Sequence, residues 1–401
     1  MKKHNNKIFI ILFFVVLFLV FIIKFSYPDL IIEGLNEKIH NTTSEIAVSI
    51  INNISSFSSE TEIVITPTKN DYAYNQLDTT EQSIYKIFLS GIINFKSFVL
   101  IPSITMNQAS KIFNFILSDF PEIFWVKKTF TMSSEFINKC NFSYIYTKEE
   151  VKEKQNLIDN TVNTFLNSLP SNLTDYEKVL KAYNYIIKNT AYKLNSKDNQ
   201  FITSVFIEKE SVCGGYSRAF QYLLKKMDIP STYIIGDISE PNDHAWNMIL
   251  LDNEYYFIDV TWGDLIFEKP EDSDPNLISY EYFCITTEEL LKTHKLNNSL
   301  KLPLLKATKY NYFTYNNILF NEFDYDIINN KIITDGINGE KYIQFKFTNL
   351  SSYSSAVDTL IENQRIFDVL NNIPNSNLIK TSYNYSLNEN FLIISFRLNY
   401  K

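Results

Sequence analysis

Cys213 stands in the run Ser211-Val212-Cys213-Gly214-Gly215-Tyr216-Ser217-Arg218, and Ala219, Phe220, Leu223, Leu224 and Met227 follow at helical spacing. A helix is therefore expected to start just after Cys213. A thiol at a helix N-terminus meets the positive end of the dipole and unpaired N–H groups, which favour the thiolate, its reactive form. Gly214 and Gly215 would leave room there for a substrate backbone. Downstream lie His244 and Asp259. A sulfur nucleophile, an imidazole that moves a proton and a carboxylate that orients the imidazole are the three parts of covalent acyl-transfer catalysis. Taken singly, Cys213 reads as a buried structural thiol and His244 as a structural histidine; their alignment with Asp259 favours chemistry. Of the rival acids, Asp243 and Asp252 read as turn residues and Asp264 as a loop residue after Gly263. His4, His40, His244 and His294 show no paired ligand spacing and no Cys-X-X-Cys occurs, so no metal and no cofactor are expected.

Two strands, 244–251 and 254–260, must position the imidazole and the acid. Asp252-Asn253 joins them as a two-residue hairpin turn. In that register Leu251 faces Glu254, Trp246 faces Asp259 and His244 faces Thr261. Side chains alternate faces, so His244 and Asp259 become diagonal neighbours on one face, about 7–8 Å apart at the backbone, a gap that a side-chain hydrogen bond spans. A three-residue turn would flip the parity and separate them. Two helices, 149–169 and 175–189, precede the nucleophile. The second opens on Thr174-Asp175-Tyr176-Glu177, the spacing of a capping box in which hydroxyl and carboxylate each satisfy a free backbone N–H. Gly214, Gly215, Gly236 and Gly263, with Trp246 and Trp262, mark the same window as geometrically demanding.

Outside this window the order strand, helix, strand, strand is expected twice. It runs 95–101, 107–117, 121–130 and 142–146 after a helix at 81–91, and again 342–348, 354–370, 378–385 and 391–399. Either an internal repeat or the recurrence of a common small unit accounts for it. The chain thus divides into an N-terminal α+β module (81–148), a core (149–295) and a C-terminal α+β module (296–401), the flanks serving packing or recognition.

Val212-Cys213-Gly214-Gly215-Tyr216, His244-Ala245-Trp246-Asn247 and Tyr256-Phe257-Ile258-Asp259-Val260-Thr261-Trp262 resemble the three signature segments of the bacterial transglutaminase-like superfamily. Residues 176–192 resemble the helix that precedes the family's nucleophile, and Asp119-Phe120-Pro121-Glu122-Ile123-Phe124-Trp125-Val126 is similar to a segment found before this core in bacterial members. The resemblance covers about 175–264 and leaves 300–401 unmatched. It implies an α+β, papain-like core with helices packed on an antiparallel sheet, Cys213 as nucleophile, His244 as base and Asp259 as orienting acid. The implied activity is acyl transfer from amides of proteins or cell-wall peptides through a thioester, resolved by water in a peptidase or amidase and by an amine in a transglutaminase. The family also contains members that have lost catalysis, so a silent surface module binding protein or cell wall is the alternative; here all three positions are intact. Gly214, Gly215, Tyr216, Trp246 and Trp262 are the candidate substrate-binding residues, the two tryptophans expected mainly to pack against the site. The Cys213 N–H is the expected oxyanion donor.

Composition sets the surroundings. Apolar residues make up 45% of the 401 and aromatics 15%, too many for a disordered chain, and 8 Gly with 11 Pro exclude collagen-like architectures. Residues 8–23 are an unbroken apolar run; at about 1.5 Å per residue it spans roughly 24 Å, which Lys7 and Lys24 extend toward the ~30 Å hydrocarbon core by snorkelling. Lys2, Lys3 and Lys7 place the N-terminus in the cytoplasm. A cleaved signal peptide would need small residues at its cleavage site, and none occurs between Ile8 and Phe25. The expectation is a cytoplasmic tail (1–7), a single-pass transmembrane anchor (8–25) and a stalk (26–80) carrying an extracytoplasmic body. Beyond residue 28 there are 33 basic against 45 acidic side chains, which lacks the footprint of a nucleic-acid binder. The expected partners are the membrane and a protein or peptide substrate outside the cell. Cys140, Cys213 and Cys284 are too few for a disulfide framework.

Overall fold

The structure, a computed structural model, describes residues 63–134, 137–239, 242–265, 277–297 and 299–401. The expected anchor at 8–25 and most of the stalk lie outside the described residues. Among the described residues no helix is long and apolar enough to cross a membrane.

The order begins with α1 (Thr79–Ile93), β1 (Phe98–Ile101), α2 (Met106–Asp119), β2 (Thr131–Ser134) and β3 (Asn138–Asn141). The middle follows with α3 (Lys148–Asn167), α4 (Asp175–Asn189), β4 (Ala191–Tyr192), β5 (Glu210–Ser211) and α5 (Cys213–Lys226). Next come β6 (Ser231–Ser239), β7 (Asn242–Leu251), β8 (Glu254–Ile258), β9 (Phe283–Ile285), α6 (Thr287–Leu290) and β10 (Lys295–Leu296). The chain closes with α7 (Tyr312–Tyr315), β11 (Leu319–Phe320), α8 (Tyr325–Ile337), β12 (Tyr342–Phe347), α9 (Leu350–Val357), α10 (Ile366–Asn371), β13 (Leu378–Asn388) and β14 (Ile393–Tyr400). The architecture is α+β, as expected, built on a five-stranded antiparallel sheet in the order β10-β6-β7-β8-β9.

Helix starts follow from local chemistry. Asp78, Thr105, Thr147, Thr174 and Thr286 each accept the N–H three residues on, and Glu81, Gln108, Glu150, Glu177 and Glu289 return the bond. Each such cap contributes about 1 kcal/mol. α5 is different: Val212 precedes it and no side chain caps it.

The central sheet is covered on both faces. Ile249, Leu251, Tyr256 and Ile258 join one core with α1 to α5 and the three-stranded sheet. Ile234, Trp246, Met248 and Phe257 join a second core with α8, α9, α10 and the four-stranded C-terminal sheet. The alternation along β7 and β8 assigns each residue to its side.

Several expectations need correction. Residues 121–130 and 142–146 are not a strand pair but meet at the isolated bridge Val126–Tyr144; their apolar character reflects burial, with the Trp125 indole donating to Ile92 O. The hairpin strands are the more polar β2 and β3. Part of the expected stalk is core: Ala73 is buried, and the Ala73 and Tyr74 N–H groups donate to the Asp119 carboxylate at 3.0 and 2.8 Å. The helix expected over 354–370 is split into α9 and α10 by a π-helical turn and by Gln364 at φ 57°. The helix α8 and the strand β6 lie where no element was expected. The three cysteines are unpaired, with Cys140 and Cys284 buried.

Candidate active site

α5 begins at Cys213, as its apolar spacing predicts, and packs on β6, β7 and α4. Ser217 donates to Ala245 O at 2.8 Å and the Asn247 amide donates to Ser217 O at 3.1 Å, fixing the helix to β7. Arg218 donates to Leu117 O and lies over the Tyr233 ring, while Gln221 donates to Ser118 O at 2.7 Å. Cys213 is partly exposed. With no capping side chain, the N–H groups of Cys213 and Gly214 are left unclaimed by a cap, whereas those of Gly215 and Tyr216 turn to Val212 O.

The hairpin has the predicted turn. Asp252 and Asn253 have φ of 49° and 65°, the paired left-handed geometry of a type I′ turn. Leu251 pairs with Glu254, and the register runs unchanged to Asn247 and Ile258. The ladder stops there: the Asp259 N–H bonds to Tyr282 O, so the expected Trp246–Asp259 and His244–Thr261 pairs are not made. The side chains still meet, with His244 Nε2 2.6 Å from Asp259 Oδ2. The Cys213 sulfur lies near enough to the His244 ring to favour its protonated form, and with Nε2 taken by Asp259 the nitrogen left for the sulfur is Nδ1.

Electrostatics favour the charged pair. Burial works against a protonated His244, but the Asp259 carboxylate and the Cys213 sulfur outweigh it and push the ring up to about 10. Burial likewise opposes the Asp259 charge, yet His244 and His294 hold it well below the usual carboxylate range. Asp259 Oδ1 accepts the N–H groups of Thr261 and Trp262 at 2.9 and 3.2 Å. A buried imidazolium–carboxylate pair with its remaining lone pairs filled can hold a proton ready for a leaving group.

His294 is the residue that the sequence reading set aside. Its Nε2 lies 3.2 Å from Asp259 Oδ2. The signal for it was two registers deep: Gly236 of β6 pairs with His244 on one side and with Leu296 of β10 on the other. Gly236 is required there, since a Cβ would lie 2.3 Å from Lys295 O and 2.5 Å from the Trp246 ring. The ligand-type atoms of His244, Asp259 and His294 lie within 4.8 Å of one another. Ligands of a tetrahedral zinc, with bonds of about 2.0–2.1 Å, stand roughly 3.3 Å apart. The 2.6 Å His244–Asp259 contact is too close for that, and its length is that of a charge-assisted hydrogen bond.

The substrate-binding candidates divide. Gly214, Gly215, Tyr216 and Trp246 are buried. A Cβ on Gly214 would strike the Gln200 amide, and one on Gly215 would strike Ser211 Oγ, so these glycines admit the protein's own 199–211 segment where room for substrate was expected. The Tyr216 hydroxyl stands 2.7 Å from Thr190 O and 2.8 Å from Asp264 Oδ2, one proton shared between two acceptors, and this contact removes Asp264 as a rival orienter. Asp252 is tied to Lys309 at the hairpin tip and Asp243 is exposed. Trp246 and Trp262 flank both histidines, with Trp262 4.6 Å from the His294 ring centroid; Trp262 alone of the five is partly exposed.

The family model for the transglutaminase-like superfamily matches residues 164–260, a stretch that contains Cys213, His244 and Asp259. This part of the chain is transglutaminase-like. The chain is 23% identical over 159 residues to kyphoscoliosis peptidase of Mus musculus, covering 34% of this chain and 24% of that protein. It therefore spans about a quarter of the length of the curated relative it matches. Among solved structures, a TGase is 14% identical, covers 41% of this chain and 50% of its own, and has a TM-score of 0.24. A proposed cysteine protease from Cytophaga hutchinsonii is 14% identical, covers 33% of this chain and 61% of its own, and has a TM-score of 0.23. The matched stretch thus contributes α4, α5 and the β7–β8 hairpin, while His294 comes from beyond it.

Proposed function

We propose that the chain is a thiol-dependent acyl-transfer enzyme acting on amide bonds of proteins or cell-wall peptides, held by residues 8–25 to a membrane with its body outside. The observation that carries the reading is the His244–Asp259 bond at 2.6 Å, with the partly exposed Cys213 acting on the same ring from an uncapped helix start. In the first half-reaction the Cys213 thiolate adds to the amide carbonyl, and the Cys213 N–H stabilises the oxyanion. Collapse breaks the C–N bond as His244 passes its Nδ1 proton to the departing amine, leaving a thioester. In the second half-reaction His244 takes a proton from water or from an incoming amine. That nucleophile displaces sulfur, and the thiolate is restored. The peptidase name of the mouse relative agrees with water as acceptor; the superfamily name agrees with an amine.

The test is mass spectrometry of the purified full chain incubated with casein peptides and solubilised cell-wall peptides, with and without cadaverine. Cleaved products identify a peptidase or amidase, and cadaverine adducts a transglutaminase. Neither should form with Cys213→Ala. The absence of both from the native chain, or their persistence in Cys213→Ala, favours the silent surface module.

A further inference from the structure

Beneath the triad, Asp259 Oδ2 holds two imidazoles rather than one: His244 Nε2 at 2.6 Å and His294 Nε2 at 3.2 Å. His294 is buried, and its Nδ1 lies 2.9 Å from Thr293 Oγ1, to which the Tyr282 hydroxyl donates at 3.2 Å. The donor and acceptor inventory fixes the direction of the first link. An ionised carboxylate only accepts, so His294 must donate from Nε2. Its Nδ1 faces the Thr293 hydroxyl, which also stands 3.4 Å from Leu290 O and accepts from Tyr282. With the Thr261 and Trp262 N–H groups on Oδ1, Asp259 has four donors for its four lone-pair positions and no exposure to water. Unfilled positions on a buried charge are costly, and lost donors favour the neutral acid.

We propose that His294 is a positioning residue of the reaction: by donating from Nε2 to Asp259 Oδ2 it keeps the buried carboxylate charged and aimed, so that His244 remains the imidazolium partner of Cys213. This rests on the Cys213–His244–Asp259 reading above. The other titratable groups facing Asp259 cannot stand in. Tyr183 from α4 has its hydroxyl committed to Ser279 O at 2.8 Å, Asp264 is an acceptor already bonded to Tyr216, and the Tyr192 phenol on β4 is kept neutral, pushed up to about 12 by burial and by Cys213 and Asp259. The aromatic walls Trp246, Trp262 and Tyr282 hold the second imidazole in place, with ring centroids 4.9, 4.6 and 5.5 Å from His294.

The experiment is the pH profile of Cys213 alkylation by iodoacetamide in the full chain, read by mass spectrometry, for the native protein, His294→Phe and His294→Gln. It needs no substrate. In His294→Phe the acid limb should move up by about one pH unit, since a donor to the charged form of Asp259 is gone. The rate within that limb should fall about tenfold, the loss of thiolate that a shift of one unit brings. His294→Gln, whose amide places an N–H near the Nε2 position, should restore both. A folded His294→Phe with the native profile overturns the proposal. So do nitrogen-15 histidine spectra of the native chain that place the His294 proton on Nδ1 rather than Nε2, a readout that stands even if His294→Phe does not fold. If the native chain itself alkylates like a free thiol, the Cys213–His244 pair fails and His294 loses its role with it. A native profile that is normal but indifferent to His294 removes only the second imidazole.

Discussion

The N-terminal and C-terminal sheets share one plan and grip opposite halves of the site. In the first, β1, α2, β2 and β3 give the sheet order β1-β3-β2; in the second, β12, α9 with α10, β13 and β14 give β12-β14-β13, extended by β11 in parallel. In both, the last strand enters the middle and pairs antiparallel with each neighbour, and a helix precedes the first of these strands. The difference lies in what each touches. The N-terminal unit reaches α5, which carries Cys213, through Leu117 O to Arg218, Ser118 O to Gln221 and Glu122 to Lys225. The C-terminal unit backs the acid side: Phe391 packs on Tyr282, Gln344 receives the Tyr280 N–H at 3.0 Å, and Lys346 pairs with Glu289. A shared topology has been put to two tasks, one holding the sulfur and the other holding the His–Asp–His cluster.

The comparison can be broken from either end. Asp259→Asn should give the largest effect, a loss of turnover of about a thousandfold or more with the fold retained, because the imidazole loses its charged partner; activity assays beside circular dichroism check it. Phe391→Ala removes a buried ring from the acid side and should cost about 3–5 kcal/mol in denaturant unfolding, and it should impair His244 more than the intrinsic reach of Cys213. Arg218→Met acts on the sulfur side and leaves Leu117 O without its donor, for about 1–3 kcal/mol; an equal effect of both substitutions on the pH profile would contradict the division of labour. The smallest effect is a matter of sign. His244 is raised from 6.5 to about 10, so the melting-temperature advantage of the native chain over His244→Gln is full below about pH 6.5 and erodes as pH rises toward about 10. The Asp259 contribution runs the other way, present above its ordinary range near pH 4 and lost as the solution becomes more acidic.

What could be read from the sequence was local. The capping box Thr174–Glu177, the start of α5 at Cys213 and the Asp252-Asn253 turn each depend on residues a few positions apart, and all three stand as read. The hairpin register then delivered the His244–Asp259 contact although the ladder ended at Ile258. What escaped depends on pairing across long stretches of chain. β6 gains its role from β7 on one side and β10 on the other, and His294 enters the site only through that double register. The apolar run at 121–130 resembled a strand because burial, not pleating, selects its residues, whereas the true hairpin of β2 and β3 is too polar to announce itself. Gly214 and Gly215 were rightly singled out as close approaches, but the approaching chain is the protein's own.

The central claim is that Cys213 forms a thioester under the control of His244. A rapid-mixing burst assay with p-nitrophenyl acetate, coupled to peptide mapping, tests it without a known substrate. The expected result is a stoichiometric burst with the acetyl group on Cys213, absent in Cys213→Ala and strongly slowed in His244→Gln. A missing burst, an acetyl group on another residue, or a burst indifferent to His244 would contradict it.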